Sequence, residues 1–82
     1  MVHYFDMRLI KIDPQKQMYR YYEISIQATL FEPYAVLCAW GSLLTAFRRQ
    51  HLIPATNLAE AELLAGQVLH KKLKRGYVLM PD

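Results

Sequence analysis

Cysteine is nearly absent from this chain. Cys38 stands alone, so no internal disulfide can form and a reducing compartment is expected. Glycine is scarce too: three residues, at positions 41, 66 and 76, cannot build a phosphate-cradling loop or a dinucleotide fingerprint. Long apolar runs are missing. The longest, residues 34–40, falls far short of the roughly 20 residues a transmembrane helix needs, so no membrane role is expected. His3, Asp6 and Arg8 interrupt the first ten residues, which excludes a signal-peptide core there. The three histidines, His3, His51 and His70, lack the short spacing of a zinc site. No Gly-x-Ser-x-Gly occurs, and Ser42 has no His and acid pattern nearby to activate it. These absences point away from a metal, a cofactor and catalysis.

What is present is apolar and only mildly charged. Of 82 residues, 54% are hydrophobic and 21% charged, a balance that excludes intrinsic disorder. The length suits one domain, residues 1–82, in the cytoplasm, with a thin core that leans on a partner protein or a second copy. The net charge of +3 is unevenly spread. Residues 1–41 carry four Lys and Arg against four Asp and Glu, whereas residues 42–81 carry six against two. The excess sits in two clusters, Arg48-Arg49 and the run Lys71, Lys72, Lys74 and Arg75. Clusters of this kind can form a phosphate-binding surface. The second also suits a helix C-terminus, where cations complement the macrodipole.

Period-two patterns dominate the first half. Residues 4–12 read as a strand with Phe5, Met7, Leu9 and Lys11 on one face. Asp13-Pro14-Gln15-Lys16 reads as a turn, in which Asp bonds its own backbone and Pro presets φ. Residues 19–28 alternate apolar Tyr22, Ile24 and Ile26 with polar Glu23, Ser25 and Gln27, predicting one face on a core and one open. Residues 34–41 are apolar on both faces, as in a central strand, and residues 45–53 read as a fourth strand ended by Pro54. Asn57 and Glu60 then form a capping box for a helix that runs to about Lys74, with Gly76 as its left-handed cap. Its apolar stripe is Leu58, Ala61, Ala65, Val68, Leu69 and Leu73. Residues 77–80 return as a short strand. This order predicts an α+β fold: an antiparallel sheet of four to five strands with one helix packed on one face.

Lys72 breaks the helical pattern, since its angle places it inside the apolar stripe near Ala61 and Ala65. Two roles fit it. Either its stem packs on the sheet while its ammonium reaches water, or the amine is held at the junction to meet a phosphate.

Four stretches, in order, resemble the WGR domain, the DNA-binding module of poly(ADP-ribose) polymerases that also occurs in short stand-alone bacterial proteins. They are Arg20-Tyr21-Tyr22-Glu23-Ile24-Ser25-Ile26, Tyr34 through Trp40-Gly41, the helix start Asn57-Leu58-Ala59-Glu60-Ala61, and Lys72-Leu73-Lys74-Arg75-Gly76-Tyr77. The resemblance is strongest over residues 18–79. It implies a non-catalytic nucleic-acid-binding module directed non-specifically, or at ends and breaks, to DNA. By position, it implies Trp40 against the terminal sugar, Tyr22 beside it and Lys72 to Arg75 on phosphates. Ser42 stands where the family has its name-giving arginine, so one hydrogen-bond donor replaces a charged, bidentate one. Arg48 and Arg49 are candidates to compensate, and Lys71 extends the basic run. Trp40 and Tyr22 fit either a stacking platform or sheet packing. A second function fits the apolar loop at residues 43–47: a protein-interaction module that keeps the fold and has lost DNA binding.

Overall fold

Alternation along the second strand organises the molecule. The computed structural model describes residues 3–80, with side chains from Asp6 onward, so the expectation for Phe5 lies outside the described side chains. Its elements are β1 (His3–Asp13), a short 3-10 turn (Pro14–Lys16), β2 (Met18–Gln27), β3 (Tyr34–Ser42), β4 (Arg48–Ala55), α1 (Leu58–Lys74) and β5 (Val78–Leu79). The strands form one antiparallel sheet in the order β4-β3-β2-β1-β5. With α1 on one side this is the expected α+β architecture. β2 occupies the middle, and β3 lies between β2 and β4, an interior strand as expected.

Register decides which residues share a face. Leu9, Tyr22, Trp40 and Arg49 are aligned across β1 to β4, and so are Met7, Ile24, Cys38 and His51. This is the side that α1 covers. Leu9, Ile24, Ile26, Val36 and Cys38 are fully buried beneath Ala61 and Ala65 of the helix. The two alanines let the helix approach the sheet closely, and each large aliphatic buried there contributes about 1.5–3 kcal/mol. On the opposite, open side, Ser25 is shielded and receives a hydrogen bond from Gln27 Nε2 at 2.9 Å. Ala35 and Ala39, each flanked by strands on both sides, are buried there too. That explains why β3 is apolar on both faces.

Several boundaries differ from expectation for identifiable reasons. β4 begins at Arg48, not at residue 45, because hydroxyls capture the preceding backbone: Ser42 Oγ accepts from the Leu44 N–H and Thr45 Oγ1 from the Phe47 N–H. Pro54 does not end β4. It pairs with Ala35 from an edge strand, where a missing N–H costs no ladder bond. Asp13 makes no side-chain cap; the first turn closes through the Gln17 N–H on the Pro14 carbonyl, with Gln17 left-handed at φ 52. Glu60 reaches the Thr56 N–H, one residue before the cap, while Asn57 caps Glu60 at 2.8 Å as expected. Leu73 is 41% exposed and leaves the buried stripe, and Leu64 joins it.

The helix ends in a Schellman motif. The Gly76 N–H bonds the Leu73 carbonyl and the Tyr77 N–H bonds the Lys72 carbonyl, with Gly76 at φ 95. Reversing the chain there folds Tyr77 back onto the last helical turn and starts β5 along β1. No helix among the described residues is long and apolar enough to cross a membrane, which leaves membrane-crossing strands unaddressed.

Candidate functional site

The Schellman turn and the central strand bring three side chains together at the C-terminal end of the helix. Tyr22, from β2, is buried at 8% exposure. Trp40, its cross-strand partner on β3, lies parallel to it, with ring centroids 5.8 Å apart and 9° between planes. Tyr77 meets Tyr22 edge-on at 6.1 Å. Over this group sits Lys72, whose Nζ is 4.5 Å from the Tyr22 centroid and 5.8 Å from that of Tyr77. Cation–π contacts of this geometry contribute about 0.5–2 kcal/mol each. Lys72 thus packs its stem in the stripe and holds its amine at the junction, over the two tyrosine rings.

Lys72 turns inward because it lies about 20° from Ala61 and from Ala65 around the helix. Burial, and next the Arg75 guanidinium, push its pKa below the usual lysine range. Burial, and next its contact with the Cys38 thiol, push the Tyr22 phenol well above its usual range. Burial raises Cys38 as well, against the opposing pull of Tyr22 and Lys72. Cys38 is a buried core thiol, walled off by the aromatic pair.

The basic clusters do not survive as units. Arg48 and Arg49 are neighbours in a strand and therefore point to opposite faces. Arg49 is aligned with Trp40 on the helix side, its guanidinium 5.4 Å from the Phe47 ring. Arg48 lies on the open side. There it pairs with Glu23 at 2.9 Å and donates to the Tyr21 hydroxyl at 3.3 Å, while Arg8 pairs with the other Glu23 oxygen at 3.0 Å. The helix-end run divides likewise. Lys72 faces the sheet, and Arg75 caps the helix close enough to repel it. Lys74 lies about 180° from Ala65 on the outer surface, and Lys71 sits on the flank.

Two cations join this end of the helix side that the sequence patterns did not single out as binding residues. Arg20 aligns with Ser42, one strand step beyond Tyr22 and Trp40, and is exposed. Lys11 aligns with Arg20, lies 5.8 Å from the Tyr77 ring and donates to the Arg75 carbonyl. Their signal was available in the period of two: each lies two residues from a core position of the same strand. Lys11, Arg20, Arg49, Lys72 and Arg75 therefore share with Trp40 the helix side of this end of the sheet. Asp13 is the one strand carboxylate among the described residues that register places on this side. Both ion pairs among the described residues lie on the open side. No cluster that could hold a metal ion occurs among the described residues.

Ser42 and Gly41 shape the rim. A side chain at Gly41 would run into the Phe47 carbonyl oxygen at 2.1 Å and the Tyr21 hydroxyl at 2.8 Å, so the β3–β4 loop closes over a position only glycine fills. Ser42 Oγ accepts from Leu44 and keeps its proton for another acceptor. Trp40 is half-buried: one part packs on the core and another lines a cavity at the sheet end.

Residues 5–81 match the family model of the WGR domain. No curated protein and no solved structure matches the chain.

Proposed function

The chain belongs to the WGR domain family, whose members are nucleic-acid-binding modules and not catalytic domains, and on that premise we propose that it binds DNA non-specifically, at ends or breaks. One observation carries the reading: the cations around Trp40 make no carboxylate ion pair among the described residues, whereas those on the open side share Glu23. Unpaired cations release counterions when they meet phosphates, and that release supplies most of a sequence-independent affinity. Lys72, Arg75, Arg49 and Arg20 take phosphates in this reading. The Ser42 hydroxyl donates one hydrogen bond, and the half-exposed Trp40 ring covers a terminal nucleotide. Tyr22 is the buried support that aligns Trp40 and Lys72. Lys71 and Lys74 add to the field without touching the ligand, and Arg48 takes no part. The contacts assigned here go to phosphates and a terminal nucleotide, so they position and do not specify.

Titration with blunt, nicked and closed circular DNA at two salt concentrations tests this. Micromolar binding is expected, with preference for the interrupted DNAs and steep weakening as salt rises. Absence of binding at low salt overturns it. That outcome would favour a protein-interaction module, for which the exposed Leu43 (46%) and Leu44 (71%) of the β3–β4 loop are the supporting feature.

A further inference from the structure

The β2–β3 turn holds two large apolar side chains out in water, Leu30 at 95% exposure and Phe31 at 91%. Hydrogen bonds close the turn: the Thr29 N–H bonds the Glu32 carbonyl at 2.9 Å, and the Glu32 N–H bonds the Thr29 hydroxyl at 2.8 Å. Turns favour Gly, Pro, Asn, Asp and Ser, so the backbone's needs do not account for Leu and Phe here. At the opposite end, the open side of the sheet is apolar again. Val78, Ile10 and Tyr21 are aligned across β5, β1 and β2, and a cleft of about 220 Å³ opens between Ile10, Tyr21, Leu43 and Met80. Between the two ends the face is low, since Ser25, Ala35 and Ala39 are buried. Apolar groups gathered on one exposed side of a small domain mark an interaction surface.

Charge selects the occupant. Among the described residues, strand register places Asp6 and Glu23 with Arg8 and Arg48 on the open side, a neutral set that lets two copies meet. The cations at the Trp40 end of the helix side would instead repel a second copy. We infer that the open side is covered by the open side of a second copy, in a two-fold dimer whose stacked sheets run in opposite directions. Phe31 of each copy then enters the cleft of the other, and a cavity of about 150 Å³ is enough to hold a benzene-sized ring. The cleft carries Arg8 and Arg48 against Glu23, one positive charge in excess, and Glu32 beside Phe31 brings the opposite charge. The molecule is 42 Å long and 25 Å wide, so this side can supply the roughly 800 Å² per partner of a standard interface. The contact is reciprocal and therefore closes at two chains. It leaves both helix sides facing outward and does not depend on DNA binding.

Sedimentation equilibrium of the whole chain, from micromolar to millimolar concentration and without DNA, tests this. The mass is expected to reach that of two chains and to fall toward one on dilution. Phe31→Asp should raise the dimer dissociation constant about a hundredfold, and Met80→Asp, at the other end of the same face, should act alike. Glu32→Lys should raise it by about fivefold. Leu63→Asp, at an exposed apolar position on the outer surface of α1, should leave it unchanged. Phe31, Met80 and Leu63 are exposed, so these variants keep the core, and circular dichroism verifies that each is folded. A chain that stays monomeric at millimolar concentration overturns the inference. A mass that grows beyond two chains overturns the closed pairing. Dimers that withstand Phe31→Asp, or that Leu63→Asp weakens equally, overturn the assigned face.

Discussion

The two sides of the sheet carry similar side chains in different states. On the open side, Arg8 and Arg48 converge on one carboxylate, Glu23, and Arg48 also leans on Tyr21. Glu23 offsets part of their charge within the molecule. On the helix side, Lys72 and Lys11 rest on tyrosine rings, and Arg49 rests on Phe47. A ring attracts a cation through its quadrupole without cancelling the charge. The lesson is that a count of basic residues says little about a phosphate surface. What matters is whether each cation is held by a carboxylate or by an aromatic face.

Charge reversal is the harshest way to break this comparison. Lys72→Glu combined with Arg49→Glu should weaken DNA binding by about a hundredfold or more and lower the salt slope by about two, since two phosphate contacts disappear. Arg48→Glu should leave both quantities nearly unchanged, and equal losses from the two variants would erase the distinction between sides. Packing offers the next largest contrast. Ile24→Ala, under the helix, should cost about 2–5 kcal/mol in a denaturant titration. Leu37→Ala, on the open side, should cost clearly less, because Leu37 is only partly buried.

A smaller effect is expected where the helix turns back. Gly76→Ala forces a side chain into the left-handed region and should cost about 1–2 kcal/mol. It should also shift the near-ultraviolet circular dichroism of the Tyr22–Tyr77 pair, because the turn positions Tyr77. The smallest effect tests the open side by itself. Glu23→Gln, which breaks two surface ion pairs, should change stability by less than about 1 kcal/mol. Because it frees Arg8 and Arg48, it should also raise low-salt DNA affinity slightly. A loss of affinity instead would show that Glu23 supports the binding surface.

Much of this arrangement is legible in the chain. The alternation around Ile24 and Ile26 marks the buried side of β2, Asn57 marks the helix start, and Gly76 marks its end. These signals are local, arising from a strand's period of two and from the backbone needs of a helix terminus. Lys72 is legible as an inward residue from its angle alone. The start of β4 was less legible, because Ser42 and Thr45 close turns through hydroxyl bonds that compete with strand propensity. Pro54 misled for a related reason. Whether proline ends a strand depends on whether that strand is an edge, and edge position is a property of the assembled sheet.

The sequence by itself therefore determined the kinds of element, their order, the family, and the excess of cations after Gly41. Only the tertiary structure decided which of those cations stand together. Strand register put Arg49 beside Trp40 and sent Arg48 to Glu23, and the Schellman turn set Tyr77 under Lys72. The physical reason is that patterning along a chain states only that neighbours in a strand face opposite ways. Which carboxylate or ring each one meets is set by partners tens of residues away.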